Sequence, residues 1–221
     1  MAPRSRPQDS SRTTKASGGT ARLQRGSPWI TVVVIPKQSI DNQLGIRGRR
    51  GDASRMQIRT ATDADWAAIW PFFHEIVAAR ETYTYDPELT EEQARALWMS
   101  PSSAAQSRTT VAVDADGTVL GSANMYPNRP GPGAHVASAS FMVDGAARGK
   151  GVGRLLCEDM ITWATDEGFR SIQFNAVVAS NEPAVHLWQA LGFQIAGTVP
   201  EAFNHPKLGY VGLHVMYRPL P

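Results

Sequence analysis

From Met56 onward, hydrophobic and polar positions follow patterns typical of regular secondary structure. Over residues 66–80, large apolar side chains recur every three or four positions after a potential cap at Thr62, which predicts an amphipathic helix. Because Pro71 lies inside this stripe, we expect a kink or a break there. A second apolar stripe follows Thr90, where the sequence Thr-Glu-Glu-Gln is a helix-capping signal and predicts another helix.

The remaining patterns predict strands first and then alternating strands and helices. A short strand at 56–60 precedes the first helix, and residues 109–113 and 118–125 predict a hairpin around the turn at 114–117. The later elements are a strand (134–143), a helix (153–167), a strand (171–178), a helix (182–191) and two strands (193–199 and 211–217). This order favours an α/β fold with a mixed sheet.

Residues 1–55 hold 11 of the 22 Lys and Arg residues against 3 of the 20 Asp and Glu residues, which gives +8; the remaining 11 against 17 give −6. Residues 29–35 could pair as an edge strand, but the Gly- and Arg-rich stretch from Pro36 to Arg55 isolates them. Residues 1–28 show no hydrophobic period. Such a segment buries too little apolar area to offset its ordering entropy. We therefore predict one domain over 56–221 behind a basic, disordered extension, which is interpreted as a solvated tail, a stretch preceding the true initiator Met56, or a nucleic-acid-binding or transit segment.

Composition narrows the functional classes. A single cysteine, Cys157, excludes an intramolecular disulfide, favours a reducing, cytoplasmic location and is expected to be a buried core residue. The five histidines show no metal-binding spacing, so we expect no metal. No apolar run is long enough to span a membrane, and aromatic residues do not interleave with the basic ones as in many nucleic-acid-binding segments. We therefore expect neither membrane nor nucleic acid as a partner.

The segment most informative about chemistry is 141–156, where a predicted strand ends and a helix starts within a glycine-rich turn. Glycines allow backbone N–H groups to converge on one point, and the helix N-terminus adds about half a positive charge. The turn combines three alternating glycines with two cations, namely Gly149, Gly151, Gly153, Arg148 and Lys150. A pyrophosphate fits this combination, although the spacing matches neither the dinucleotide fingerprint nor a Walker loop.

This turn resembles the pyrophosphate-binding signature of GNAT acetyltransferases, Q/R-x-x-G-x-G/A, with Arg148, Gly151 and Gly153 at the matching positions. Downstream, NEPAVHLWQALGF at 181–193 is similar to the family's N-x-x-A-x-x-L-Y-x-x-x-G-F stretch. The resemblance covers 56–221. Within the family, three stretches resemble the phosphinothricin and L-amino acid N-acyltransferase branch: 58–65, 81–85 and 135–143.

The resemblance implies the GNAT fold, a mixed and mostly antiparallel sheet that is flanked by helices and splayed between the strands at 135–143 and 171–178. Acetyl-CoA, the acyl donor, would enter this gap. Backbone groups of Phe141 and Val143 would pair with its pantetheine arm, and Asn181 would contact it through the side-chain amide or cap the next helix. The pyrophosphate would be held by the turn, whose members are Arg148, Gly149, Lys150, Gly151, Val152 and Gly153.

The resemblance also implies direct attack of a small-molecule primary amine on the thioester, with an amino acid or an analogue as the favoured acceptor. Glu81 is the expected general base, and His135 is an alternative. Trp188 stands where many members carry a tyrosine acid, and an indole is not a useful proton donor. Ser138 aligns with a position where this branch often has a glutamate.

Several alternatives stay open at this stage. The proton donor to the leaving thiolate is Tyr83, Tyr85, Tyr126 or water. The acceptor is an amino acid or an aminoglycoside-like antibiotic, since the acidic domain would suit a polycation. A catalytically idle module that senses acyl-CoA is a non-enzymatic alternative, which Trp188 favours. Many family members are dimers, so the oligomeric state is open between a monomer and a homodimer.

Overall fold

The computed structural model describes residues 56–100 and 106–221, so the predicted basic extension lies outside the described residues. The helices are α1 (Trp66–Ala79), α2 (Glu91–Met99), α3 (Val152–Asp166) and α4 (Glu182–Ala190). The strands are β1 (Gln57–Thr60), β2 (Arg108–Val113), β3 (Val119–Pro127), β4 (Val136–Val143), β5 (Ser171–Val178), β6 (Gln194–His205) and β7 (Gly209–Pro219).

The strands form one open sheet in the order β1-β2-β3-β4-β5-β7-β6. Among these described strands, β4 and β5 run parallel and the other neighbours run antiparallel. The connection between β4 and β5 contains α3, as expected for parallel neighbours that need a long crossover. The predicted mixed, mostly antiparallel sheet flanked by helices is confirmed.

The β4–β5 pairing is short. Its register covers Val136 with Ser171 and Ala137 with Ile172. The Ser138 hydroxyl then donates to the carbonyl of Gln173 at 2.8 Å. Beyond this point the two strands continue without registered pairs, so the sheet divides into two halves joined at one end.

Each face of the sheet carries its own hydrophobic layer. The layer under α3 and α4 includes Phe141, Leu156 and Trp188, whereas the layer under α1 and α2 includes Phe73 and Trp98. The apolar stripe predicted for α1 is buried throughout, at Trp66, Ile69, Phe73, Ile76 and Val77. The two helical periods in the sequence therefore did identify the faces that pack on the sheet.

Helix α1 runs unbroken through Pro71, contrary to the predicted break. Proline removes the hydrogen bond to the carbonyl four residues earlier, here that of Ala67. Both Pro71 and Ala67 are exposed. Because water can hydrogen-bond that carbonyl, the helix continues at low cost.

The last hairpin is longer than predicted, because β6 extends to His205 although the pattern ended at Val199 before Pro200. The register shifts between Val199 and Phe203, where Glu201 has a φ of 53°. A proline is tolerated at such an irregularity on an edge strand. Since β6 is the edge of the sheet, the hairpin extends past Pro200.

Asp65 connects β1 to the start of α1. Its carboxylate accepts hydrogen bonds from the Arg59 guanidinium at 2.6 and 2.8 Å, and from the backbone N–H and hydroxyl of Thr62 at 2.7 and 2.9 Å. The Arg59 guanidinium holds the pKa of the Asp65 carboxyl well below its usual range. The charged form of Asp65 is therefore stabilised by folding.

We expect Asp65→Asn to lower the free energy of unfolding by about 2 kcal/mol at neutral pH, since hydrogen bonds to a buried charge are lost. Because folding depresses this pKa, the stabilisation is complete above the unfolded value of about 4 and declines as the pH falls below it. Urea unfolding of both proteins between pH 7 and pH 3 measures the difference.

A matched control is Asp63→Asn, because Asp63 pairs with Arg95 at 2.8 Å but its side chain is 86% exposed. Exposed ion pairs contribute little, so this variant should unfold like the wild type. A difference between wild type and Asp65→Asn that stays constant down to pH 3 would contradict the assignment.

Candidate functional site

A glycine loop connects β4 to α3. It begins at Asp144, whose side chain accepts a hydrogen bond from the N–H of Ala146 at 2.8 Å. Gly149 and Gly151 have φ angles of 71° and 88°, a region that other residues rarely adopt. Gly151 is the N-cap of α3. The loop therefore turns onto the helix by conformations that require glycine.

A cavity of about 270 Å³ lies over this loop. Its lining residues are Val143, Ala147, Arg148, Gly149, Gly151, Val152, Gly153, Arg154 and Leu187. A Cβ atom on Gly149 or Gly151 would meet no protein atom within 4 Å, so the two glycines leave open space above the backbone. Helix α3 has no side-chain cap, which leaves its first-turn N–H groups for a ligand. The arrangement suits a phosphate group.

Most of the residues predicted for pyrophosphate binding line this cavity. Arg148, Gly149, Gly151, Val152 and Gly153 do so, together with Val143. Lys150 is exposed and does not line the cavity. Sequence reasoning missed three lining residues: Ala147, Arg154 and Leu187. A signal existed for Arg154, a cation in the first turn of the predicted helix.

The predicted backbone partners of the pantetheine arm lie along the divided edge of β4. On the β3 side, the carbonyl of Val136 accepts from Asn128 at 2.7 Å and the N–H of Asp144 donates to Leu120 at 3.0 Å. Because backbone groups alternate in direction along a strand, Phe141 and Val143 present their N–H and C=O groups to the opposite side, into the gap.

One of the backbone groups that face the gap, the carbonyl of Phe141, already has a hydrogen-bond partner. The hydroxyl of Tyr83 donates to the carbonyl of Phe141 at 2.8 Å, and both residues are buried. Tyr83 comes from the segment between α1 and α2, which therefore closes the gap from the opposite layer. A ligand that pairs with β4 has to share or displace this contact.

Two of the three tyrosines considered as proton donors lie together in the layer under α1 and α2. The rings of Tyr83 and Tyr85 are 5.3 Å apart, and Tyr85 also hydrogen-bonds Ser140. Burial raises the pKa of both hydroxyls above its usual value. Both are therefore protonated at neutral pH. Tyr126 is buried as well and lies close enough to raise the pKa of each further.

Glu81, the predicted general base, forms an ion pair with Lys207 at 2.6 Å. The Glu81 side chain is 31% exposed and that of Lys207 is 76% exposed. Lys207 lies in the turn between β6 and β7, so the pair joins the last hairpin to the segment that carries Tyr83. Glu81 is thus at the rim of the protein surface and two residues from a side chain that reaches the gap.

The structure separates His135 from this region. His135 is exposed, its Nδ1 is 3.0 Å from the carbonyl of Pro132, and it precedes the end of β4 that is remote from the glycine loop. Six residues of strand separate it from Phe141, which corresponds to roughly 20 Å. His135 is therefore poorly placed to act as the alternative base.

Asn181 and Trp188 lie on α4, which covers the gap from the α3 side. Asn181 is 4% exposed and occupies the N-cap position, but its side chain makes no capping hydrogen bond. Trp188 is fully buried and contacts Phe141 and Phe174. Cys157 on α3 is also fully buried, and burial raises the pKa of its thiol, which fits the predicted core role.

Two searches of the described residues were negative. They contain no group of three or more His, Cys, Asp or Glu side chains that could hold a metal ion. No helix within 56–100 or 106–221 combines the length and apolar character needed to cross a membrane.

Comparison with known sequences identifies relatives along most of the domain. The model of the acetyltransferase (GNAT) family matches residues 70–193. N-acetyltransferase aca1 of Schizosaccharomyces pombe is 30% identical over 142 residues, which cover 59% of this chain and 68% of the relative. L-amino acid N-acyltransferase MnaT of Escherichia coli is 29% identical over 147 residues, 66% of this chain and 84% of the relative.

Comparison with solved structures gives the same result. A GCN5-related N-acetyltransferase from Kribbella flavida is 75% identical with a TM-score of 0.73, covering 76% of this chain and 99% of that one. A phosphinothricin acetyltransferase from Sinorhizobium meliloti, solved in complex with AcCoA, is 27% identical with a TM-score of 0.65 and covers 75% and 89%. The predicted fold and the resemblance to the phosphinothricin and L-amino acid branch are thereby confirmed.

The family match spans more than half of the chain and includes the glycine loop, the divided sheet and the helix that carries Trp188. Loop, gap and match agree on one chemistry, the transfer of an acyl group. This chain belongs to the GNAT acetyltransferase family.

Proposed function

We propose that this chain is an acetyl-CoA-dependent N-acetyltransferase that acts on the primary amine of a small molecule, an amino acid or an amino-acid analogue. The observation that carries the proposal is the glycine-loop cavity at the open end of the gap between β4 and β5. The AcCoA complex of the S. meliloti relative and the amino-acid acyltransferase among the sequence relatives support it.

The donor is bound mainly by backbone groups. First-turn N–H groups of α3 and the Arg148 guanidinium bind the pyrophosphate, since both supply positive potential beside open space. The N–H groups of Phe141 and Val143 continue this row of donors into the gap. The thioester then lies near Phe141 and Tyr83, where the two layers of the domain meet.

The chemistry requires that the acceptor lose a proton before it attacks. Glu81 takes this proton, directly or through a water molecule, and the amine nitrogen forms a bond to the thioester carbon. The carbon–sulfur bond then breaks and the sulfur leaves as a thiolate. Buried donors near the thioester stabilise the charge that develops, as in other acyl transfers.

The ion pair between Glu81 and Lys207 supports an amino acid as the acceptor. An amino acid carries an ammonium and a carboxylate on one carbon, the same two charges as this pair. Its ammonium replaces Lys207 at the Glu81 carboxylate, and its carboxylate binds the released Lys207 ammonium. An amine without a carboxylate leaves Lys207 without a partner.

We expect Gly151→Glu to abolish coenzyme A binding while the domain still unfolds cooperatively. The new carboxylate repels the pyrophosphate and fills the open space above the loop. Isothermal titration calorimetry with coenzyme A measures the loss. A suitable control is Gly168→Glu at the other end of α3, where φ is 78° and a Cβ also meets nothing within 4 Å. Unchanged affinity in Gly151→Glu would place the pyrophosphate elsewhere.

We expect Lys207→Met to raise the KM of an amino acid acceptor about tenfold or more, because a hydrogen bond to a charged group is lost. The KM of the corresponding decarboxylated amine should change little. Steady-state kinetics with both acceptors measure the contrast. Equal increases for the two acceptors would show that Lys207 does not bind the carboxylate.

We expect Glu81→Gln to lower kcat about 100-fold or more, since general base catalysis typically contributes that much. Glu88→Gln, an exposed position in the same segment, is the matched control and should leave kcat unchanged. Wild-type kcat in Glu81→Gln would move the base role to water or to another residue.

A panel of acceptor amines distinguishes the proposed function from two alternatives, an aminoglycoside-like acetyltransferase and a catalytically idle acyl-CoA sensor. Thiol release from acetyl-CoA is measured with free amino acids and with aminosugars, the latter representing an aminoglycoside-like acceptor. Coenzyme A binding without turnover for any amine supports the catalytically idle sensor, which the replacement of the usual tyrosine by Trp188 favours.

A reducing, cytoplasmic location stays a prediction that rests on the single cysteine, Cys157.

We also propose a homodimer. The exposed large hydrophobic side chains of the described residues all lie on the β6–β7 hairpin: Ile195, Val199, Leu208, Tyr210 and Tyr217. Light scattering should give twice the chain mass of 24.0 kDa, and Val199→Glu should lower it toward one chain. A wild-type mass of one chain at high concentration would contradict the proposal.

A further inference from the structure

The indole of Trp188 lies between aromatic side chains of β4 and β5, and its N–H has no hydrogen-bond acceptor among the described residues. We propose that its indole N–H donates a hydrogen bond to the sulfur atom of the donor thioester and stabilises the thiolate as it leaves. This inference rests on the proposed function, because it requires a thioester in the gap between β4 and β5.

The indole of Trp188 bridges the two walls of that gap. Its ring centroid is 5.1 Å from that of Phe141 on β4 and 5.2 Å from that of Phe174 on β5. The registered β4–β5 pairs end at Ala137 and Ile172, so both contacts lie where the strands have already separated. A group that enters between the strands therefore passes beside this indole.

The N–H of Trp188 has no hydrogen-bond acceptor among the residues that the structure describes, although the side chain is fully buried. Two other buried indoles are paired: Trp66 donates to Glu91 at 3.0 Å and Trp98 to Ser122 at 2.9 Å. A buried N–H without an acceptor is costly. An acceptor supplied by the bound donor explains why this cost is tolerated at Trp188.

The chemistry of an indole decides what this contact does. Indole is a hydrogen-bond donor only and keeps its proton. When the carbon–nitrogen bond forms and the carbon–sulfur bond breaks, the electron pair stays on sulfur, and the N–H stabilises this negative charge. The proton of the attacking amine goes to Glu81, and the released thiolate takes its proton from water. The step therefore balances without an acidic side chain at position 188.

With this role for Trp188, the absence of a tyrosine at position 188 no longer indicates an inactive protein. Trp188 supplies a donor to the sulfur without supplying a proton, so an active enzyme is compatible with its presence. Because a charged acceptor binds an N–H more strongly than a neutral one does, the effect is larger on the leaving thiolate than on the intact thioester. The contact should then affect kcat more than the binding of coenzyme A.

The decisive measurement is the indole ¹⁵N–¹H spectrum of the full chain. The Trp188 signal is assigned by its disappearance in Trp188→Phe, or in Trp188→Tyr if the first variant does not fold. We expect this signal to shift when coenzyme A is added and to stay in place with desulfo-coenzyme A, which carries the same pyrophosphate and the same arm except for its terminal sulfur. Backbone amide signals of the glycine loop should shift with both ligands.

Kinetics of the variants give a second readout. Trp188→Phe should lower kcat roughly 10- to 100-fold with little change in the coenzyme A dissociation constant, since one hydrogen bond to a charged atom is lost. Trp163→Phe is the matched control, because Trp163 lies in the same core layer but has ring contacts with Phe169 and Arg108. It should keep its kcat.

The outcomes separate this inference from the proposed function. Loop amides that do not respond to coenzyme A would overturn the proposed function and this inference with it. Loop amides that respond while the Trp188 signal moves equally with both ligands, or with neither, would overturn the inference alone. Wild-type kcat in Trp188→Phe would also overturn it.

Discussion

The separation of β4 from β5 is the constraint on which the site depends. Two residue pairs and the Ser138 hydroxyl hold the strands together at one end. Beyond this point, β5 does not pair with the backbone groups of Phe141 and Val143, and Tyr83 is hydrogen-bonded to one of them, the carbonyl of Phe141. Unpaired backbone groups inside a protein are costly. In the proposed function, a ligand that adds like a strand pairs with them, as extended ligands do at other sheet edges.

The gap persists because each half of the sheet is held from outside. On one side β4 pairs with β3, and on the other side β5 pairs with β7 along most of its length. From the α4 layer, Trp188 contacts an aromatic ring on each of the two strands. In the proposed function, binding uses surfaces that folding has already positioned, so little ordering entropy is lost on binding.

Local features were predictable from the sequence, and long-range contacts were not. The glycine loop was identified from alternating glycines beside two cations between a predicted strand and a predicted helix, and the structure gives Gly149 and Gly151 the positive φ angles that glycine adopts readily. The bond from Tyr83 to Phe141 joins residues 58 positions apart, and the Glu81–Lys207 pair joins residues 126 apart. No periodicity encodes such contacts, so the proton donor and the environment of the base were left open.

Phe141 shows how the two layers are coupled through one residue. Its backbone faces the gap, its carbonyl accepts from Tyr83 in the layer under α1 and α2, and its ring packs on Trp188 in the opposite layer. A donor that pairs with β4 at this position contacts groups from both layers at once. In the proposed function, the acceptor approaches past Tyr83 and the leaving sulfur lies toward Trp188. The amine adds to the thioester carbonyl carbon, the tetrahedral intermediate then expels the thiolate, and groups from the two faces of the sheet support these two steps.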